Sequence, residues 1–301
     1  MTTGDTQQYL AEELRNFQEI TQSINPRDDK IPRLPGVDIY GALIPLRGVI
    51  GGDHIIYIDF STRYDLDTRI AVAEAEGRTE VARQLRLNKN RAGILVADVS
   101  GHRTTDAVIA AMLHQAFLLG TYYELDMFGQ ITTKLFEHLN TRFFKTASVN
   151  RYFTMLYGEI SDRGRFRFLS AGHQPPKIFS REFGRFMPIS RDRLVSFSPT
   201  GMFPSAGDLD ERRYPSLYGY KKRYTVNEIN LLGPGDILLL YTDGLSEHAS
   251  GDFFPHQVER CLRDARDETA ESICSRLREE LLAWGPARDD ISFIVITKAS
   301  G

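Results

Sequence analysis

A chain of 301 residues that is 42% hydrophobic can bury a sizeable core as one large or two modest domains. Its 37 basic and 40 acidic residues leave a formal charge of -3, a balance that argues against nucleic acid or an anionic membrane as the main partner. No apolar stretch reaches membrane-spanning length, and Met1 to Asp5 lacks the basic and apolar regions of a signal peptide. The two cysteines, Cys261 and Cys274, lie close together in a segment that reads as helical, so a cytoplasmic protein with free thiols is expected.

Residues 7 to 23 set Leu10, Leu14, Phe17 and Ile20 on one helical face. Such a helix either docks on its own domain or serves dimerisation or signal transmission, and a homodimer through it is one expected assembly. Pro26 and Arg27-Asp28-Asp29-Lys30 close it, which makes 1–30 a helix plus linker and 31–301 the main domain. Val37 to Asp59 is strand-like with a turn at Gly51-Gly52, and the polar, partly helical stretch near 61–91 reads as an insertion or surface helix. Gly93 to Ala97 is a buried strand. After it, Val108, Ile109, Met112, Leu113, Ala116 and Phe117 recur as a core-facing helical stripe, with Thr104 or Thr105 as N-cap.

Ile131, Leu135 and Leu139 mark a second helix, and Phe153–Ile160 with Arg165–Ser170 reads as a hairpin around Ser161-Asp162-Arg163-Gly164. Residues 181–233, rich in Pro, Gly, Arg and Tyr, read as a long irregular flap. Its Arg212, Arg213, Lys221, Lys222 and Arg223 could attract an acidic phosphoprotein, with Tyr214, Tyr218 and Tyr220 as apolar contacts. Ile237 to Tyr241 is a central strand, Thr269 to Trp284 a helix with Ile273, Leu277, Leu281 and Trp284 on one face, and Ile291 to Thr297 a terminal strand. Strands in runs and helices in pairs favour an α+β sandwich over alternating βαβ units.

Four aspartates stand at the ends of apolar runs or in turns beside them: Asp53, Asp98, Asp243 and Asp289. A buried carboxylate is costly unless something positive pairs with it, so their convergence points to cations. All candidate ligands are hard oxygen donors, which selects Mg²⁺ or Mn²⁺, and more than two carboxylates around one cavity suggest two ions. Such a pair can activate a water for attack on a phosphoryl group without a covalent nucleophile.

The words around these aspartates are Gly51-Gly52-Asp53, Ala97-Asp98-Val99-Ser100-Gly101-His102, Ser170-Ala171-Gly172-His173-Gln174-Pro175-Pro176, Gly235-Asp236 through Thr242-Asp243-Gly244, and Asp289-Asp290-Ile291-Ser292. In this order and spacing, from about Val37 to Thr297, they resemble the motifs of the SpoIIE-type serine phosphatases. These form the bacterial branch of the metal-dependent protein phosphatases related to protein phosphatase 2C.

The resemblance implies a four-layer α-β-β-α sandwich with two central antiparallel sheets and a two-ion Mn²⁺ or Mg²⁺ site at one edge. It implies Asp53 and Asp98 as ligands, the Val99 carbonyl as a backbone ligand, and Asp243 with Asp289 on the second ion. Asp290 is the alternative if the last motif aligns one residue later. His102 either donates to a phosphate or leaving oxygen or holds backbone, while His173 reads as a structural turn residue. Arg103 replaces the glycine that usually follows this histidine and offers a guanidinium to phosphate. The segment His54 to Asp59 is longer than the family's compact form.

The implied activity is hydrolysis of phosphoserine or phosphothreonine on a protein, by analogy an anti-sigma-factor antagonist in a partner-switching pathway. A two-metal hydrolase of a small phosphoester and a non-catalytic pseudo-phosphatase are the alternatives.

Overall fold

The computed structural model describes residues 3–46, 51–99, 104–146, 152–208, 213, 215–230 and 233–299. The chain opens with helix α1 (Thr3–Gln22) and strands β1 (Val37–Ile44) and β2 (Asp53–Asp59). Short helices α2 (Phe60–Arg63), α3 (Leu66–Ala75) and α4 (Thr79–Asn88) lead to β3 (Arg91–Val99). Helices α5 (Thr104–Phe128) and α6 (Thr133–Thr146) follow, then β4 (Phe153–Ser161), β5 (Arg165–Ala171), β6 (Lys177–Ser180), β7 (Arg185–Met187) and β8 (Asn227–Asn230). The rest comprises β9 (Ile237–Tyr241), α7 (Asp243–Ser246), α8 (His256–Asp264), α9 (Ala270–Trp284) and β10 (Ile291–Lys298).

Among the described residues the strands form two five-stranded antiparallel sheets, ordered β1-β10-β9-β6-β7 and β2-β3-β4-β5-β8. Alternation along each strand sends successive side chains to opposite faces, which here builds three apolar layers. Ile55, Tyr57, Ile94, Val96, Leu156, Leu238, Leu240, Ile294 and Ile296 meet between the sheets. Ile56, Ile58, Leu95, Ala97 and Val99 pack outward under α3 to α6, against Phe117, Leu113 and Leu139. On the other side Leu239, Tyr241, Phe293 and Val295 meet Val258, Leu262, Ile273, Leu277 and Leu281 of α8 and α9. The result is the expected α-β-β-α sandwich. Both cysteines are buried as free thiols in this last layer.

Side-chain caps explain where several helices begin: Asp59, Asp65 and Thr269 each accept backbone N–H groups at the starts of α2, α3 and α9. The polar stretch near 61–91 is thus three short helices. The N-cap reading for Thr104 and Thr105 lies outside the described side chains.

One expectation changes. Residues 181–233 are not wholly irregular, since β7 and β8 extend the two sheets. Trp284 ends the α9 face of Ile273, Leu277 and Leu281; although 44% exposed, it packs edge-on against the buried Phe253 with ring centroids 5.9 Å apart. On the apolar face of α1, Leu10, Leu14 and Ile20 are exposed and Phe17 is half-buried. No helix among the described residues is long and apolar enough to cross a membrane.

Candidate metal centre

The inter-sheet layer turns polar at one end of the strands. Continuing the alternation of Tyr57 and Ile55 reaches Asp53; that of Ile94 and Val96 reaches Asp98; that of Leu238 and Leu240 reaches Thr242. On β10, Ile296 and Ile294 are followed in the same phase by Ser292 and Asp290. Antiparallel pairing sets Asp53 directly opposite Asp98 and Asp98 opposite Thr154. The carboxylates therefore occupy core-facing positions at the mouth of the sandwich.

Asp53 is buried and fixed from the facing sheet. The Thr242 hydroxyl donates to its Oδ2 at 2.8 Å, while its Oδ1 is buried and has no hydrogen-bond partner among the described residues. Burial first, and then the charge of Asp98, push the Asp53 carboxyl well above the usual range, and the hydrogen bond from Thr242 opposes them. Burial, then the charges of Asp243 and Asp289, and a hydrogen bond with Asp243 push Asp98 up to about 8. Such a site is short of positive charge. Asp243 opens α7, following Thr242, and Asp289 is half-buried just before β10.

Asp290 differs from the others. It is buried, its Oδ1 accepts the Leu46 N–H at 2.7 Å, and its Oδ2 accepts the Gly52 N–H at 2.6 Å.

Asp53, Asp98, Asp243 and Asp289 thus come together, with Val99 beside them. Among the described residues no three His, Cys, Asp or Glu side chains form a ready-made cage for an ion. Magnesium-type sites are commonly completed by water around one or two carboxylates, so the all-oxygen donor set and the orphaned Asp53 oxygen fit such ions. His102, Arg103 and Arg212 lie outside the described residues, and Arg213 is exposed on the flap.

His173 is buried, with Nδ1 3.0 Å from the Thr154 hydroxyl, and burial lowers its pKa to about 4. It supports the strand that faces Asp98, in keeping with a structural reading. His54 turns away from the inter-sheet layer, its Nε2 lying 2.9 Å from Nδ1 of His114 on α5. The segment His54 to Asp59 is simply the body of β2.

Lys221 corrects the reading of the flap. It is not available to a substrate: its side chain is 2% exposed, its Nζ lies 3.0 Å and 3.2 Å from the two Glu137 oxygens, and it donates to the Lys222 carbonyl. The same ammonium sits 3.4 Å from the centroid of the Tyr224 ring. Arg223, by contrast, is exposed and donates to the Gly207 carbonyl at 3.0 Å. A cavity of about 740 Å³ opens between α6 and this segment, lined by His138, Thr141, Asp208 and Tyr224 among others, and none of the aspartates above lines it.

Thr242 was not singled out by sequence reasoning. Its signal was available in the Tyr241-Thr242-Asp243-Gly244 run, where strand alternation points residue 242 into the inter-sheet layer.

Comparison with known proteins follows the same lines. The chain is 27% identical over 198 residues to the phosphoserine phosphatase RsbP of Bacillus subtilis (strain 168), covering 65% of this chain and 41% of that protein. It therefore spans about two fifths of that relative's length. The SiaA-PP2C domain of Pseudomonas aeruginosa superposes with a TM-score of 0.64 at 16% identity, covering 98% of this chain and 99% of that one. The catalytic domain of the serine threonine protein phosphatase PstP, solved in complex with 2 manganese ions, superposes with a TM-score of 0.50 at 12% identity over 88% of this chain and 100% of its own. Residues 88–298 match the family described as Stage II sporulation protein E, and the chain belongs to that SpoIIE family.

Proposed function

We propose that the chain is a metal-dependent protein serine/threonine phosphatase. Asp53, Asp98, the Val99 carbonyl, Asp243 and Asp289 would hold two Mn²⁺ or Mg²⁺ ions. The observation that carries this reading is the Asp53 and Asp98 pair, opposite each other at the sheet edge, with a buried Asp53 oxygen that nothing among the described residues satisfies. When bound, the ions supply the Lewis acidity that lets a water ionise near neutral pH and that offsets phosphoryl charge.

The chain's own residues supply orientation. Thr242 holds one Asp53 oxygen and leaves the other for coordination. Asp98, pushed up by burial and by the neighbouring charges of Asp243 and Asp289, marks a pocket of negative charge that a proton or a cation can neutralise. His102 is proposed to donate to the leaving oxygen and Arg103 to contact phosphate, both from sequence alone. Arg212 and Arg213 on the flap are proposed to meet an acidic phosphoprotein.

The substrate proposed is a phosphoserine or phosphothreonine protein, such as an anti-sigma-factor antagonist. The phosphoserine phosphatase activity in the name of the RsbP relative and the two manganese ions of the PstP domain support this reading. The test is hydrolysis of a phosphoserine protein and of an aryl phosphate by chelator-treated protein, before and after Mn²⁺ is restored. Activity should vanish and return; full activity in the metal-free protein overturns the proposal.

A further inference from the structure

We infer that Asp290 is a positioning residue, a cross-sheet clamp that sets the ligand-bearing loops relative to one another and does not itself hold an ion. This rests on the metal-centre reading above.

Each of its carboxylate oxygens is already taken by a backbone amide. Leu46 N–H donates to Oδ1 at 2.7 Å and Gly52 N–H to Oδ2 at 2.6 Å, both short hydrogen bonds. The two amides bracket the connection between β1 and β2, and Gly52 is the residue before Asp53. Its carbonyl in turn accepts the Val99 N–H at 3.3 Å. One side chain thus reaches, through the backbone, the neighbours of both Asp53 and Asp98.

The main chain of Asp290 fixes the other two aspartates. Its N–H donates to Asp289 Oδ1 at 2.6 Å. Its carbonyl lies so close to Gly244, the residue after Asp243, that a Cβ there would come within 2.0 Å of it. Gly51 is packed equally hard on the other side, since an added Cβ would stand 2.4 Å from the Asp290 carboxylate. Gly51 has an ordinary backbone angle, so the need for glycine comes from the carboxylate and not from φ. Asp290 precedes β10 in one sheet while Gly52 precedes β2 in the other, so the clamp spans the mouth of the sandwich. Groups that orient metal ligands in this way typically change metal affinity or activity by about 10- to 100-fold when removed.

Asp290→Asn keeps the shape but turns an amide NH₂ toward one of the two N–H donors. It is to be compared with Asp289→Asn, which removes a proposed ligand. In chelator-treated protein, residue-resolved hydrogen exchange should show the Leu46 and Gly52 amides exchanging at least about tenfold faster in Asp290→Asn, with β4 and α8 unchanged. In Mn²⁺ titration calorimetry, Asp290→Asn should take up as many ions as the wild type at about 10- to 100-fold weaker affinity, whereas Asp289→Asn should lose one ion.

Loss of an ion in Asp290→Asn, or unaltered exchange at Leu46 and Gly52, overturns the inference. Wild-type protein that takes up no Mn²⁺ overturns the metal reading itself and the positioning role with it; the exchange result then still reports whether the loop clamp exists. Should Asp290→Asn not fold, Gly51→Ala displaces the same carboxylate, and it must loosen the same two amides or the clamp is refuted.

Discussion

The Thr242 hydroxyl accepts the Ser292 N–H at 2.9 Å and donates to Asp53 Oδ2 at 2.8 Å, so a single side chain joins two strands of one sheet to a carboxylate on the other. Thr242→Val should remove the link without changing size. The expected result is a fall of about 10- to 100-fold in kcat or Mn²⁺ affinity, together with about 1–3 kcal/mol of stability for the buried groups left unpaired. Thr242→Ser should restore most of both. Wild-type kinetics in Thr242→Val would show that Asp53 needs no such support.

Asp243→Asn should lower turnover at least about a hundredfold while the fold survives, because the residue is argued to hold an ion and its negative charge burdens Asp98. Turnover and thermal melting measured on the same preparation check both halves. An active variant, or one that stays unfolded with metal present, makes Asp243 a structural residue.

Stability should depend on pH in the direction opposite to that of an ion-paired carboxylate. Unfolded Asp98 ionises near pH 4, whereas the folded carboxyl keeps its proton up to about 8. Chelator-treated protein should therefore be most stable below about pH 4 as far as this group is concerned, and should lose that contribution as the pH rises through 8. Asp53, whose pKa is also raised, acts in the same sense. Mn²⁺ reverses the trend, so the melting-temperature gain on adding it should be larger at pH 8 than at pH 5.5. Equal gains would remove Asp98 from the site.

The Lys221 and Glu137 pair should behave as structure. Breaking it with Lys221→Met leaves a largely buried Glu137 that still accepts the Tyr224 N–H, at a cost of about 3 kcal/mol. The double variant with Glu137→Gln should recover part of the loss in a denaturation series. A stable Lys221→Met with selectively poor activity on a phosphoprotein would return Lys221 to substrate recognition.

Arg213→Glu tests the exposed part of the same segment. Its kcat/KM on a phosphoserine protein should fall several-fold, with aryl phosphate hydrolysis unchanged. Equal losses on both substrates in a folded variant would refute a role in protein recognition.

How much of this was legible depended on burial. Strands β3, β9 and β10 are covered on both faces, so they read as apolar runs such as Ile237 to Tyr241, and their ends gave the positions of Asp98, Asp243 and Asp289. Strands β6, β7 and β8 are 4, 3 and 4 residues long, too short for alternation to emerge from a Pro- and Arg-rich background. The choice between Asp289 and Asp290 was open for a different reason: backbone amides of a distant loop occupy Asp290, and no local pattern announces them. Lys221 misled because a lysine among lysines looks solvated, whereas its burial is decided by Glu137 on α6 and the ring of Tyr224.

The register of β1 with β10, Val37 against Lys298, has a consequence for synthesis. Strands β2 to β5 pair in chain order and form one half of the sandwich from local contacts, carrying Asp53 and Asp98 with them. The other half is closed by its last strand, because β10 sits between β1 and β9. A ribosome-bound chain that has not yet released β10 therefore exposes the unpaired edges of β1 and β9, and Asp289, which directly precedes β10, is not yet held beside Asp98. The corner of the proposed metal centre that Asp289 supplies is thereby set in place only when β10 pairs between β1 and β9.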